Sequence, residues 1–404
     1  MRRKMANFSS IRTLLFKPYG FIKSLIHRFP RFYLGCVALL AITGYAFVLL
    51  FPLLVLAGFQ SIYEEIAVSD VTNWQSVLIW LVVVLVAALV SYRITQIRLK
   101  TPVGLTLAED KAPELFKLVQ QHRNYFKRPE IHRLVITANY ELDIVKTPMW
   151  ALPVWSTNTM IIGLPVLQSL SPKQFECVVA RRIGQFSKRY NPMTNWLYQL
   201  REIWQQYRIS YSTQKGFGIE PMKWFFAVYA PLYTTVSRYA ARLDELNADT
   251  YAMELFNDEE ILEMITADAL FRWYLQNQFW PAVYKIASID TKSLPTPHTT
   301  MASAVHAIKN GERLDSLIDK VYKEKPLSRD AIPSLQERIK NIGHEKPHME
   351  QHTEENAAVF YLGTSVKGVI DVIDKLWLKS FLEQRKRQRQ QKQKQVAPEQ
   401  VTSA

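Results

Sequence analysis

A chain of 404 residues with 48% apolar content is long enough to bury one large core or two ordinary ones, which excludes wholesale disorder. Its 50 Lys and Arg exceed its 36 Asp and Glu for a net charge of +14, but much of the excess sits at the two ends, and no nucleic-acid partner is expected from the sum alone. The two cysteines, Cys36 and Cys177, lie in unrelated segments, which excludes the disulfide framework of a small secreted scaffold.

Two apolar runs come first. Phe32 to Phe59 is 28 residues without a charge, and Trp74 to Tyr92 contains LIWLVVVLVAALV. About 20 such residues cross a hydrocarbon core as a helix, so two transmembrane spans are expected. Arg2, Arg3, Lys4, Arg12, Lys17, Lys23, Arg28 and Arg31 precede the first run, and Arg93, Arg98 and Lys100 follow the second. The loop between them holds Glu64, Glu65 and Asp70 and neither Lys nor Arg. The positive-inside rule therefore puts both termini in the cytoplasm. The first run is too long for the apolar part of a signal peptide, and a second span follows it. The organisation begins with a basic segment over 1–31 and a two-span anchor over 32–93.

A mixed helical and stranded domain is expected over 100–343. Ala112-Pro113-Glu114-Leu115 opens a helix with Leu115, Leu118 and Val119 on one face, which runs out near Arg128-Pro129. Arg133 to Ala138 and Asn158 to Gly163 read as strands, and Ser171-Pro172-Lys173-Gln174 as a capped helix start. From Asn195 the chain reads as mostly helical. Gln214 to Gly218 is a loop, and Trp224 to Tyr233, short and interrupted by Pro231, is a core or interfacial helix rather than a third span. Helical periodicity continues through Val236 to Leu255 and Glu260 to Gln276, with a Pro-containing linker over Ser293 to His298. A polar linker over 344–355, a C-terminal helix over 356–384 and a basic tail over 385–404 complete the chain. In that tail, Arg385 to Lys394 holds six basic residues interleaved with Gln. A solvated helix extension or a disordered end accounts for it, and contact with anionic headgroups is the alternative.

The helix beginning at Ser171 reads SPKQFECVVARRIGQFSKRY, with Phe175, Val178, Val179, Ile183 and Phe186 on one stripe and Arg182 on the same stripe. An arginine cannot shed its charge, so a place among core positions demands a carboxylate or an aqueous cavity. Later come Glu245-Leu246-Asn247-Ala248-Asp249, in a segment beginning Ser237-Arg238-Tyr239-Ala240, and Pro333-Ser334-Leu335-Gln336-Glu337-Arg338-Ile339 with Ile332 before it.

In their order and spacing these segments, together with the N-terminal hairpin, resemble the HtpX-type membrane zinc metallopeptidases, which include the CAAX prenyl endopeptidases. The resemblance covers about residues 105–380. It implies a zincin-like, mostly α domain with a small β-sheet behind a transmembrane hairpin in a bacterial inner membrane. It also implies that the capped helix corresponds to the one carrying H-E-x-x-H, and that Glu245 corresponds to the third zinc ligand of the E-x-x-x-D helix.

H-E-x-x-H works because i and i+4 share a helix face, so two imidazoles bind zinc while the intervening Glu acts as general base. Here those positions hold Arg181, Arg182 and Gln185. Neither guanidinium can coordinate a cation and an amide is a poor zinc ligand, so of the family's ligands only Glu245 remains and no cofactor is expected. Glu245 and Asp249, at i and i+4, instead call for a cation, which Arg181 or Arg182 can supply as a cross-link between the two helices. A literal HExxH match occurs at His344-Glu345-Lys346-Pro347-His348, with His352 beyond. Pro347 interrupts it, Gly343 before it reads as a helix stop, and a metal site at His344, His348 and His352 is the weak alternative.

The expected function is a membrane-anchored pseudopeptidase that binds a polypeptide or membrane-protein partner in a degenerate cleft. Strand addition along Asn158 to Gly163, a counterpart of the family's cleft-edge strand, is the expected mode, with Trp150 and Trp155 beside it as pockets or ordinary packing. An active metallopeptidase with an unidentified metal site and a non-enzymatic lipid-interaction protein are the rivals.

Overall fold

The structure is a computed structural model that describes residues 28–96, 103–127, 130–149, 152–187, 192–214, 216, 218–289, 295–324, 332–350 and 355–396. In chain order it contains α1 (Pro30–Tyr63, continued by a π-turn, Glu64–Val68), α2 (Trp74–Thr95), β1 (Leu105–Leu107), α3 (Pro113–Tyr125), β2 (Arg133–Thr137), β3 (Leu142–Met149) and β4 (Leu152–Gly163). These are followed by α4 (Leu164–Ser169), α5 (Pro172–Phe186), α6 (Pro192–Thr213), α7 (Glu220–Val236), α8 (Arg238–Ala252) and α9 (Asp258–Tyr274, continued by a π-turn, Leu275–Phe279). The last elements are α10 (Trp280–Ile289), α11 (Pro297–Lys309), α12 (Leu314–Lys323), α13 (Leu335–Asn341), α14 (Ala357–Leu362) and α15 (Val366–Val396). Among the described residues the chain is mostly helical with one small mixed sheet.

Two compact units result. One comprises 1–101, 146–157 and 191–244, and the other 102–145, 158–190 and 245–404. The division differs from a single domain over 100–343, because α6 and α7 cluster with the two N-terminal helices. In that first unit α1 and α2 are long and apolar enough to cross a membrane. The buried stripe of α1, with Tyr33, Val37, Ala41, Gly44 and Val48, meets an aromatic cluster from α6 and α7 that includes Trp204, Tyr207, Phe226, Tyr229 and Tyr233. Phe47 stacks on Phe225 with ring centroids 3.8 Å apart, and the Tyr229 hydroxyl donates to the Leu40 carbonyl at 2.6 Å. The segment Trp224 to Tyr233 is thus part of a helix whose inner face is core.

The second unit holds the larger core. Its sheet has the order β1-β2-β4-β3, with β1 antiparallel to β2 and β2 parallel to β4 from Arg133 opposite Thr159 to Thr137 opposite Gly163. This corrects the expectation of an exposed edge at Asn158–Gly163: β4 lies between β2 and β3, and the terminal strands are β1 and β3. Neither terminal strand stands out in the sequence, since Leu105–Leu107 is three residues long and Asp143, Lys146 and Pro148 interrupt the apolar pattern of the other. Trp150 lies outside the described residues, and Trp155 lies on β4.

The helix α5 is buried on nearly every side and packs on α9 and α3. Its start is set by a reciprocal cap in which the Gln174 N–H donates to Ser171 Oγ at 3.2 Å and the Ser171 N–H to Gln174 Oε1 at 3.0 Å. Gly184 lets α8 come close, for a methyl group there would stand 3.1 Å from Tyr251 Cβ and 3.2 Å from the Phe126 ring. A single C-terminal helix from residue 356 is also corrected: Gly363 at φ 49° ends α14, and α15 then runs through the basic segment to Val396.

Candidate functional site

Four helices of the second unit carry their charged residues into one buried array. On α5, Arg181 is the buried arginine, 7% exposed, and Arg182 lies at the helix's partly open side. Arg182 is nearly as enclosed, its side chain 13% exposed, and it meets in Glu245 a carboxylate of the kind an arginine on that stripe demands. On α8, Glu245 and Asp249 are one turn apart and face α5. A second reciprocal cap, Ser334 with Glu337, starts α13 and sets Arg338 one residue further on, and α9, capped by Asn257 and Glu260, contributes Asp268 and Arg272.

Arg181 bridges both carboxylates of α8. Its Nε donates to Asp249 Oδ1 at 2.6 Å, and its Nη2 to Glu245 Oε2 at 2.7 Å and to the Glu245 carbonyl at 3.0 Å. Arg338 grips Asp249 from the other side with a two-pronged contact, Nε to Oδ2 at 3.0 Å and Nη2 to Oδ1 at 2.8 Å, the geometry that suits a planar guanidinium. Its Nη1 reaches Asp268 Oδ2 at 3.2 Å, and Arg272 Nη2 meets Asp268 Oδ1 at 3.2 Å. Arg182 closes the other end: Nη1 donates to Gln185 Oε1 at 2.5 Å and Glu245 Oε1 at 3.3 Å, and stands 3.7 Å from Asp143 Oδ1 on β3. The Gln185 amide donates in turn to Glu245 Oε1 at 3.2 Å. The signs alternate along Asp143, Arg182, Glu245, Arg181, Asp249, Arg338, Asp268 and Arg272, so each buried charge neighbours its opposite.

Electrostatics follow from this alternation. Burial pushes the Glu245 carboxyl toward its neutral form, yet the guanidiniums of Arg182 and Arg181 overcome it and hold the group well below the usual carboxylate range. Asp268 is likewise lowered, with burial outweighed by Arg272 and Arg338, whereas for Asp143 burial wins over Arg182 and its pKa rises. Arg338 is buried but stays charged, with a raised pKa, because Asp249 and Asp268 flank it.

A lowered carboxylate pKa contributes stability that is present above the unfolded value, about 4.3 for Glu, and is lost as pH falls further. Thermal unfolding between pH 7 and pH 3 is therefore expected to show a melting temperature that drops below about pH 4.3. A Glu245→Gln variant, lower in stability at neutral pH, should lose part of that drop. Equal slopes in the two proteins would remove Glu245 from the array.

The donor set does not fit zinc. Both oxygens of Glu245 already accept from N–H groups, and what Arg181, Arg182 and Gln185 turn toward that carboxylate are protonated donors with no lone pair for a cation. Among the described residues no group of three or more His, Cys, Asp or Glu has metal-binding geometry. His344 to His348 lie in an irregular segment after α13, which Gly343 ends at φ 85°, so His344 and His348 do not share a helix face there. His352 lies outside the described residues.

The array brings together all five residues singled out from the sequence and adds Asp143, Asp268, Arg272 and Arg338. Asp268 carried a legible signal, a carboxylate among Ile261, Leu262, Met264, Ile265, Ala267, Leu270 and Phe271 on a buried helix. Arg272, between Phe271 and Trp273 on the same helix, carried it too, whereas Arg338 belongs to the Pro333 to Ile339 segment and Asp143 to a strand whose partners are not legible locally. Comparison of the chain with family models, with curated proteins and with solved structures finds no match in any of them.

Proposed function

We propose that this protein is a membrane-anchored, proteolytically silent counterpart of the HtpX-type metallopeptidases, which holds a polypeptide or membrane-protein partner without cutting it. The observation that carries the reading is the Arg181 guanidinium lying between Glu245 and Asp249, a cation that cross-links the helices the resemblance pairs through zinc. Such a bridge keeps the scaffold together and leaves no Lewis acid or general base for peptide hydrolysis by that route. In this reading α1 and α2 anchor the chain in the bacterial inner membrane with both termini cytoplasmic.

Two features of the second unit suit an extended partner. β3 is a terminal strand whose Asp143 stands beside Arg182, so main-chain pairing is offered next to the array rather than along β4. A cleft of about 520 Å³, walled by Trp273, Gln276, Ile332 and Leu335, also includes Arg272 and Arg338.

The test is elemental analysis and casein hydrolysis on detergent-purified protein, beside a triple Arg181→His, Arg182→Glu, Gln185→His variant. The natural protein is expected to carry no stoichiometric zinc and to leave casein intact, and the variant to gain zinc. Near-unit zinc with hydrolysis in the natural protein would overturn the proposal and redirect attention to His344, His348 and His352.

A further inference from the structure

The two apolar helices of the first unit do not match in length. α1 with its π-turn is 39 residues, about 58 Å at 1.5 Å per residue, whereas α2 is 22 residues, about 33 Å. A hydrocarbon core is about 30 Å thick, so it accommodates α2 and only about half of α1. Which half is decided by register. A methyl group on Gly58 would fall 2.4 Å from Val84 Cγ2, so these residues stand level on antiparallel helices. Nine residues on from Val84 is Arg93, and nine back from Gly58 is Leu49, so the charge that ends α2 stands level with the middle of α1.

Beyond that level α1 packs on other helices of its unit. Along Tyr33 to Gly44 it is flanked by α6 and α7: the Tyr33 hydroxyl donates to the Val236 carbonyl, and a methyl on Gly44 would meet Trp204 Cζ2 at 2.9 Å. Beside that stretch α6 carries Arg201, which donates to the Thr234 carbonyl at 2.8 Å, and Glu202, which is exposed. The turn joining α6 to α7 comes to Arg93, with Gly218 Cβ space 3.5 Å from Arg93 Cγ. A bilayer centred on the apolar run from Phe32 would immerse both Arg93 and Glu202, and charged side chains at that depth are disfavoured.

We infer that the membrane boundary on the basic side crosses α1 near Leu49, so that lipid contacts Leu49 to Phe59 of α1 and Leu78 to Val86 of α2, while Pro30 to Val48 stands outside the hydrocarbon as the spine of a three-helix bundle with α6 and α7. This rests on the reading of α1 and α2 as spans, and moves the anchor's start from residue 32. Phe32, Leu39 and Ile42, exposed in the outer half, make that half look like membrane in a hydropathy scan, and they decide between the two placements.

The experiment uses the full chain with Cys36→Ser as background; Cys177 is fully buried and stays unlabelled. Single cysteines at Leu39, Leu53 and Leu85 are labelled with an environment-sensitive nitrobenzoxadiazole probe and reconstituted in phosphatidylcholine vesicles containing doxyl-labelled lipid. Probes at 53 and 85 are expected to be quenched several-fold more strongly than the probe at 39. Equal quenching at 39 and 53 would overturn the boundary and leave the spans intact. Absence of quenching at all three would remove the helix pair from the bilayer, and the boundary with it.

Discussion

Replacing Asp249 with alanine is expected to be the most damaging single change in the array. Asp249 is fully buried and accepts from Arg181 Nε and from both prongs of Arg338. Without it two guanidiniums face one another, and neither can lose its proton. Breaking a buried pair by deleting one partner costs about 3–5 kcal/mol, a large part of the 5–15 kcal/mol that holds a domain folded. The expected result is aggregation on expression, or a melting temperature lowered on the order of 10 °C in detergent. Asp249→Asn, which keeps the shape and one acceptor, should fall between the two. A melting temperature unchanged in Asp249→Ala would mean that the array does not exist as described.

Arg338→Met should be the next most damaging, at about 3 kcal/mol. Each carboxylate it leaves behind keeps one cation, Asp249 with Arg181 and Asp268 with Arg272, and the loss is smaller than for Asp249 because the Asp268–Arg272 pair is partly open to water, whereas Asp249→Ala strands two guanidiniums in the closed part of the array. Arg338→Lys should recover only part of it, because a point charge cannot grip both oxygens of Asp249 as the planar fork does. Arg182→Leu serves as the contrast. Its carboxylate contacts, 3.3 and 3.7 Å, are longer than those of Arg338, and Glu245 keeps Arg181, so a smaller loss of about 2 kcal/mol is expected. Thermal unfolding of the four proteins side by side gives the order. A loss in Arg182→Leu larger than in Arg338→Met would overturn this order.

The parts of the fold that were legible in the sequence are those governed by local chemistry. Ser171 and Gln174 begin α5 where their side chains can satisfy the first free N–H groups, and the long uncharged runs are helices because nothing in them competes with the backbone hydrogen bonds. The strand at Arg133 is visible because Leu134, Val135 and Ile136 are apolar and Val135, Ile136 and Thr137 are β-branched. Weak local signals hid other elements. β1 is held by pairing with β2, and α9 continues beyond Gln276 through a π-turn because Leu275 and Phe279 pack into the core. The basic segment after Arg385 prolongs α15, for Gln, Lys and Arg all favour a helix already nucleated upstream.

By itself the sequence determined which chemistries the α5 and α8 positions can support. Arg181, Arg182 and Gln185 are poor partners for zinc in any fold, and Glu245 and Asp249, four residues apart on a helix, share a face wherever that helix goes. Tertiary structure alone decided which charges meet. Arg181 rather than Arg182 holds both carboxylates, and Arg338, separated from Asp249 by 89 positions, supplies the second cation. The same holds for the sheet, where β4 became an interior strand because β3 folded back beside it. The physical reason is common to both. A side chain's type and its place on a helix or strand are local properties, whereas the partner of a buried charge or a strand edge is set by packing between segments far apart in the chain.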